Sequence, residues 1–66
     1  MQITVNGQPR EVPEGATAAE LVALRELTGR RLAMEVNGDI LPRSRHDGHR
    51  LADGDRIEIV HAVGGG

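Results

Sequence analysis

Polar and apolar residues alternate from the start of the chain. Gln2-Ile3-Thr4-Val5-Asn6 has the period of two expected of a strand with one buried face, with Ile3 and Val5 directed inward. Asn6-Gly7 predicts a tight hairpin turn, because both residue types accept the positive φ that such turns require. The chain then returns through Arg10-Glu11-Val12 as a second strand, which Pro9 and Pro13 confine to a sheet edge because neither can donate a ladder hydrogen bond.

Thr17-Ala18-Ala19-Glu20 next matches a capping box, in which the Thr hydroxyl and the Glu carboxylate each satisfy an orphan amide of a first helical turn. Leu21, Val22, Leu24 and Leu27 follow at helical spacing and predict one apolar stripe, with Glu20, Arg25 and Glu26 facing water and Gly29 ending the helix. Period two resumes at Leu32-Ala33-Met34-Glu35-Val36. Asn37-Gly38-Asp39 is a second hairpin signal, and Ile40-Leu41 before Pro42 reads as a short fourth strand. Arg43 to Arg50 is polar and without period, so it reads as a loop. After an Asp53-Gly54-Asp55 turn, Arg56-Ile57-Glu58-Ile59 opens a final strand through about Val63, which turns Ile57, Ile59 and Val63 toward the helix and Val60 and Ala62 outward. The order predicts an α+β fold: a mixed sheet of four to five strands with one helix packed on one face, formed by residues 1–63, and a flexible glycine tail at 64–66.

Composition narrows the chemistry. Sixty-six residues make one small domain, and with no Phe, Tyr or Trp its core must be entirely aliphatic. The absence of Cys removes disulfides, thiolate nucleophiles and Cys-based metal sites, and fits a reducing compartment. A net charge of −2 has the wrong sign for neutralising nucleic-acid phosphates, and no aromatic platform exists for base stacking. All eight basic residues are Arg, which excludes Schiff-base chemistry on a lysine. Apolar runs are far shorter than a bilayer span, and Met1 leads straight into strand-like sequence, so neither signal peptide, transmembrane helix nor membrane partner is expected.

No catalytic constellation is legible. Ser44 is the only Ser and lies between two arginines. His46 and His49 are three apart, but in a Gly-containing loop that leaves them unorganised, so a solvated loop is the expected reading and no metal is assigned. Asp53-Gly54-Asp55 lacks the further acidic positions of a calcium loop. His61 falls on the core parity, as a partly covered structural residue or a proton shuttle. Gly64-Gly65-Gly66 remains. It is either a frayed end or a tail narrow enough, without Cβ atoms, to thread another protein's active site and present a terminal carboxylate there.

The Met-Gln-Ile opening strand, the Gly15-Ala16-Thr17 helix entry, Val36-Asn37-Gly38-Asp39-Ile40 with Pro42-Arg43, Leu51 to Ile59, and Val63-Gly64-Gly65-Gly66 carry a resemblance that covers essentially the whole chain. The sequence resembles the thiamine-biosynthesis sulfur carriers of the ThiS family, members of the ubiquitin-like β-grasp superfamily. That resemblance implies first and last strands side by side in the sheet centre with the helix across them, and a cytoplasmic protein. It implies a carrier, not an enzyme, with no bound cofactor: Gly66 is adenylated by a ThiF-type adenylyltransferase that uses ATP, then becomes a thiocarboxylate with sulfur relayed from a cysteine desulfurase, and delivers that sulfur to thiazole synthase (ThiG). Gly64 and Gly65 would thread the partner's channel. Val60 and Ala62 are either half-buried sheet positions or partner contacts. Two related readings stand beside it, a molybdopterin-synthase small subunit and a TGS-like regulatory module, the latter disfavoured by the acidic charge.

Overall fold

Turn chemistry sets the two hairpins. The computed structural model describes residues 1–25 and 31–61, with His61 described by its backbone alone. Asn6 (φ 52°) and Gly7 (φ 81°) form the turn between β1 (Gln2–Val5) and β2 (Gln8–Glu11), and Asn37 (φ 52°) and Gly38 (φ 89°) form the one between β3 (Leu32–Val36) and β4 (Asp39–Leu41). Positive φ at both central residues matches the right-handed twist of the flanking strands, so register follows from the turn. Val5 pairs with Gln8, and Val36 with Asp39.

The five strands form one mixed sheet in the order β2-β1-β5-β3-β4, where β5 is Arg56–His61. β5 runs parallel to β1 and antiparallel to β3, so the last strand occupies the centre beside the first, as the resemblance implied. The helix α1 (Ala18–Leu24) covers one face. Ile3, Val5, Met34, Val36, Ile57 and Ile59 point down from the strands onto Ala18, Leu21 and Val22, with Val12, Ala16 and Leu51 closing the sides. The core is aliphatic throughout. Among the described residues no helix is long and apolar enough to cross a membrane.

The structure departs from the sequence pattern at several points. β2 ends at Glu11, one residue before Val12, which is buried and donates its amide to the Met1 carbonyl at 2.9 Å. Leu24, expected in the buried stripe, is 61% exposed. At 3.6 residues per turn it sits roughly 110° from the centre of the arc formed by Ala18, Leu21 and Val22, beyond the reach of the sheet. Leu27 and Gly29 lie outside the described residues, as does the stretch of the final strand expected beyond His61.

The largest correction concerns 43–50. This stretch is a folded connection: a short 3-10 helix, η1 (Arg43–Arg45), delivers a buried His46, whose Nε2–H donates to the Leu41 carbonyl at 3.1 Å. The same segment completes the helix start. Ala18 N–H donates to the His49 carbonyl (2.9 Å), Ala19 N–H to the His46 carbonyl (3.1 Å), Glu20 N–H to Thr17 Oγ1 (3.2 Å) and Leu21 N–H to the Thr17 carbonyl (3.0 Å). A helix of only seven residues thus has all four of its leading amides bonded. Thr17 bonds Glu20 reciprocally, as the capping box requires.

Candidate functional site

The candidate site is the end of β5 together with the sheet face opposite the helix. β5 alternates as the sequence predicts: Ile57 and Ile59 are buried, and Arg56, Glu58 and Val60 are exposed. Val60 is 60% exposed and pairs with exposed Ala33 across the antiparallel ladder. Glu58 pairs with Glu35, and Glu35 in turn with Ile40 of β4, which is 76% exposed. Directly opposed residues share a face, so the open face carries Val60 and Ala33 near the chain's exit, two facing carboxylates beside them, and Ile40 at the edge. Ala62, Gly64, Gly65 and Gly66 lie outside the described residues.

Sequence reasoning singled out Val60, Ala62 and the three glycines, and it missed Ala33, Glu35 and Ile40. The parity of each within its own strand was visible. Their adjacency to Val60 was not, because it depends on β5 docking against β3.

Side-chain hydrogen bonds hold β5 at both ends. At its start, Asn37 Oδ1 accepts from Arg56 N–H (2.9 Å), Asn37 Nδ2 donates to Asp55 Oδ1 (3.0 Å), and Asn37 N–H donates to the Arg56 carbonyl (2.8 Å). Farther along, Asn6 Oδ1 accepts from Ile59 N–H (2.8 Å) and Asn6 Nδ2 donates to the Ile59 carbonyl (3.2 Å). The Asp53-Gly54-Asp55 turn also does more than reverse the chain. Asp53 Oδ1 accepts from Gln2 N–H (2.8 Å), Asp55 Oδ2 accepts from Ala52 N–H (2.8 Å), and Gly54 N–H donates to the Gln2 carbonyl (2.7 Å). These bonds fasten β5 to β1 and to the β3–β4 hairpin before the ladder begins.

The described side chains offer little chemistry of their own. Among the described residues no three His, Asp or Glu groups are placed to hold a metal ion. His46 is committed to the Leu41 carbonyl, while Ser44, Arg45 and His49 line a surface cavity of about 320 Å³ next to Leu41 and Gly48. The side chain of His61, weighed above as structural or proton-shuttling, lies outside the described residues. The arrangement is a rigid body that fixes one central strand and presents an open face beside it.

The ThiS family model matches residues 3–66. Over all 66 residues the chain is 32% identical to the sulfur carrier protein ThiS of Escherichia coli, covering the whole of that protein. It is also 33% identical over its full length to a thiazole synthase of Paramagnetospirillum magneticum, of which it spans only 20%. The crystal structure of the thiamine biosynthesis protein ThiS from Geobacter metallireducens superposes with a TM-score of 0.85 at 33% identity, covering all of both chains. With a mixed five-stranded sheet and one α-helix among the described residues, and a match that runs from the first strand through the glycines, the chain is a ubiquitin-like β-grasp protein and belongs to the ThiS family.

Proposed function

We propose that this chain is a sulfur carrier of thiamine biosynthesis whose reactive group is the carboxyl of Gly66. A ThiF-type enzyme binds ATP, and the Gly66 carboxylate attacks the α-phosphorus of that ATP and expels pyrophosphate. A sulfur nucleophile then takes the acyl carbon of the adenylate and releases AMP. Hydrosulfide yields the thiocarboxylate directly. A desulfurase-derived persulfide yields an acyl disulfide that a thiol must reduce. The thiocarboxylate is the more nucleophilic form, as thiolates exceed alkoxides at neutral pH, and thiazole synthase accepts its sulfur.

The observation that carries this reading is the central strand. β5 is held on both flanks and leads in sequence into Gly64-Gly65-Gly66, with the family match extending to the last of them. Residues without Cβ occupy the least width in a channel, which suits them to reach a remote active centre. Thiazole synthase as acceptor is supported by the synthase relative that contains a stretch similar to the entire chain. Val60, with Ala33 beside it and Ile40 at the edge of the same open face, is the proposed contact surface, and Ala62, two residues further along the sequence, is a proposed contact as well.

The test is intact-mass measurement after incubation with ATP, a ThiF-type enzyme and a sulfur donor. The expected product has one oxygen replaced by sulfur. An unchanged mass, with an enzyme proven active on another carrier, refutes the proposal. Removal of Gly66 is expected to abolish the mass change while leaving the circular-dichroism spectrum intact.

A further inference from the structure

We infer that Asn6 is a positioning residue for the reaction at the glycine end: its side-chain amide stands in for a missing strand residue and holds the tail-proximal half of β5 in line. The inference rests on the carrier reading above. β1 pairs with β5 only through Thr4↔Arg56 and Val5↔Ile57, and the Asn6 N–H adds one more bond, to the Ile57 carbonyl at 2.9 Å. Continuing the parallel ladder would need a further extended residue to bond Ile59. The chain cannot supply one, because it turns at Asn6 and Gly7, both at positive φ.

The Asn6 side chain fills the gap. A primary amide has the same donor and acceptor as a peptide group, and here it uses both on one residue, accepting from Ile59 N–H at 2.8 Å and donating to the Ile59 carbonyl at 3.2 Å. On the opposite flank β3 pairs with β5 as far as Leu32↔His61. Among the described residues, Asn6 is therefore the last hydrogen-bonding partner on the β1 flank before the chain proceeds toward the glycines.

Residue chemistry limits what can occupy this position. Gly accepts the φ of 52° but has no side-chain amide, and Asp accepts the Ile59 N–H but offers no donor to the carbonyl. Asn37 is the natural control. It has the same φ of 52° and also sits in an Asn-Gly turn, but its side chain bonds Arg56 and Asp55 at the opposite end of β5. Loss of the Asn6 clamp leaves Val60 and His61 held by β3 alone, so the activating enzyme must itself fix this part of β5 on docking.

The experiment compares the full chain with Asn6→Gly, Asn6→Asp and Asn37→Gly as substrates in ATP–pyrophosphate exchange by a ThiF-type enzyme, alongside residue-resolved amide hydrogen exchange. For Asn6→Gly the KM for the carrier is expected to rise about tenfold, the conformational freedom of roughly one backbone residue, with kcat little changed. Asn6→Asp is expected to fall between it and the parent, and Asn37→Gly to keep the parent KM despite lower stability. Exchange at the Ile59 and Val60 amides should quicken in Asn6→Gly relative to Ile3 and Val5. A KM for Asn6→Gly equal to that of the parent, or an equal rise in Asn37→Gly, overturns the positioning role while leaving the carrier reading intact. A parent chain inert toward an active enzyme overturns both.

Discussion

Glu35 and Glu58 face each other across the β3–β5 ladder on the open side of the sheet, and this pair predicts a substitution that should stabilise the fold. Like charges directly opposite on a sheet are destabilising. Two carboxylates about 6 Å apart in water repel by about 0.7 kcal/mol. Glu35→Gln removes that repulsion. Glu35→Arg converts it to attraction, a swing of about 1 kcal/mol, since Arg56 lies only at a diagonal position on the neighbouring strand. For a domain of this size such a gain raises the melting temperature by roughly 4–8 °C. Thermal unfolding followed by circular dichroism at low salt should rank Glu35→Arg above Glu35→Gln above the parent. In about 1 M salt, where the screening length falls to about 3 Å, the differences should shrink toward zero. A gain that survives high salt, or none at low salt, refutes the electrostatic argument. The pair lies beside Val60 and Ala33, so the stabilised variants should also bind thiazole synthase or the activating enzyme more weakly if this face is the docking surface.

Thr17→Ala removes the hydroxyl that accepts from Glu20 N–H, and should cost about 1 kcal/mol in urea unfolding without changing the slope. His46→Ala leaves the Leu41 carbonyl without its ring donor, and should cost about 1–3 kcal/mol in the same assay. Val60→Asp changes an exposed side chain and should alter stability by no more than about 0.5 kcal/mol, while reducing retention on immobilised thiazole synthase.

The elements with strong local signals were legible in the chain itself. Alternation located β1, β3 and β5, the Asn-Gly pairs at 6–7 and 37–38 marked both hairpins, and Thr17 with Glu20 marked the helix start. Each signal depends on residues within a few positions of one another, as hairpin registers and capping boxes do. The segment from Arg43 to Arg50 was opaque for the opposite reason. Its structure consists of carbonyls lent to the amides of Ala18 and Ala19 and a ring lent to Leu41, and no periodicity encodes such partners.

For the site, the strand leading to the glycines and the outward parity of Val60 were set by the sequence alone, because side-chain direction in a strand follows from its period of two. Tertiary structure decided what surrounds them. Docking β5 between β1 and β3 placed Ala33 beside Val60, brought the Glu35 and Glu58 carboxylates face to face and turned the Asn6 amide onto Ile59. Those neighbours are 27 positions apart for Ala33 and Val60, 23 for Glu35 and Glu58, and 53 for Asn6 and Ile59, and only the packing of an aliphatic core against one helix brings them together.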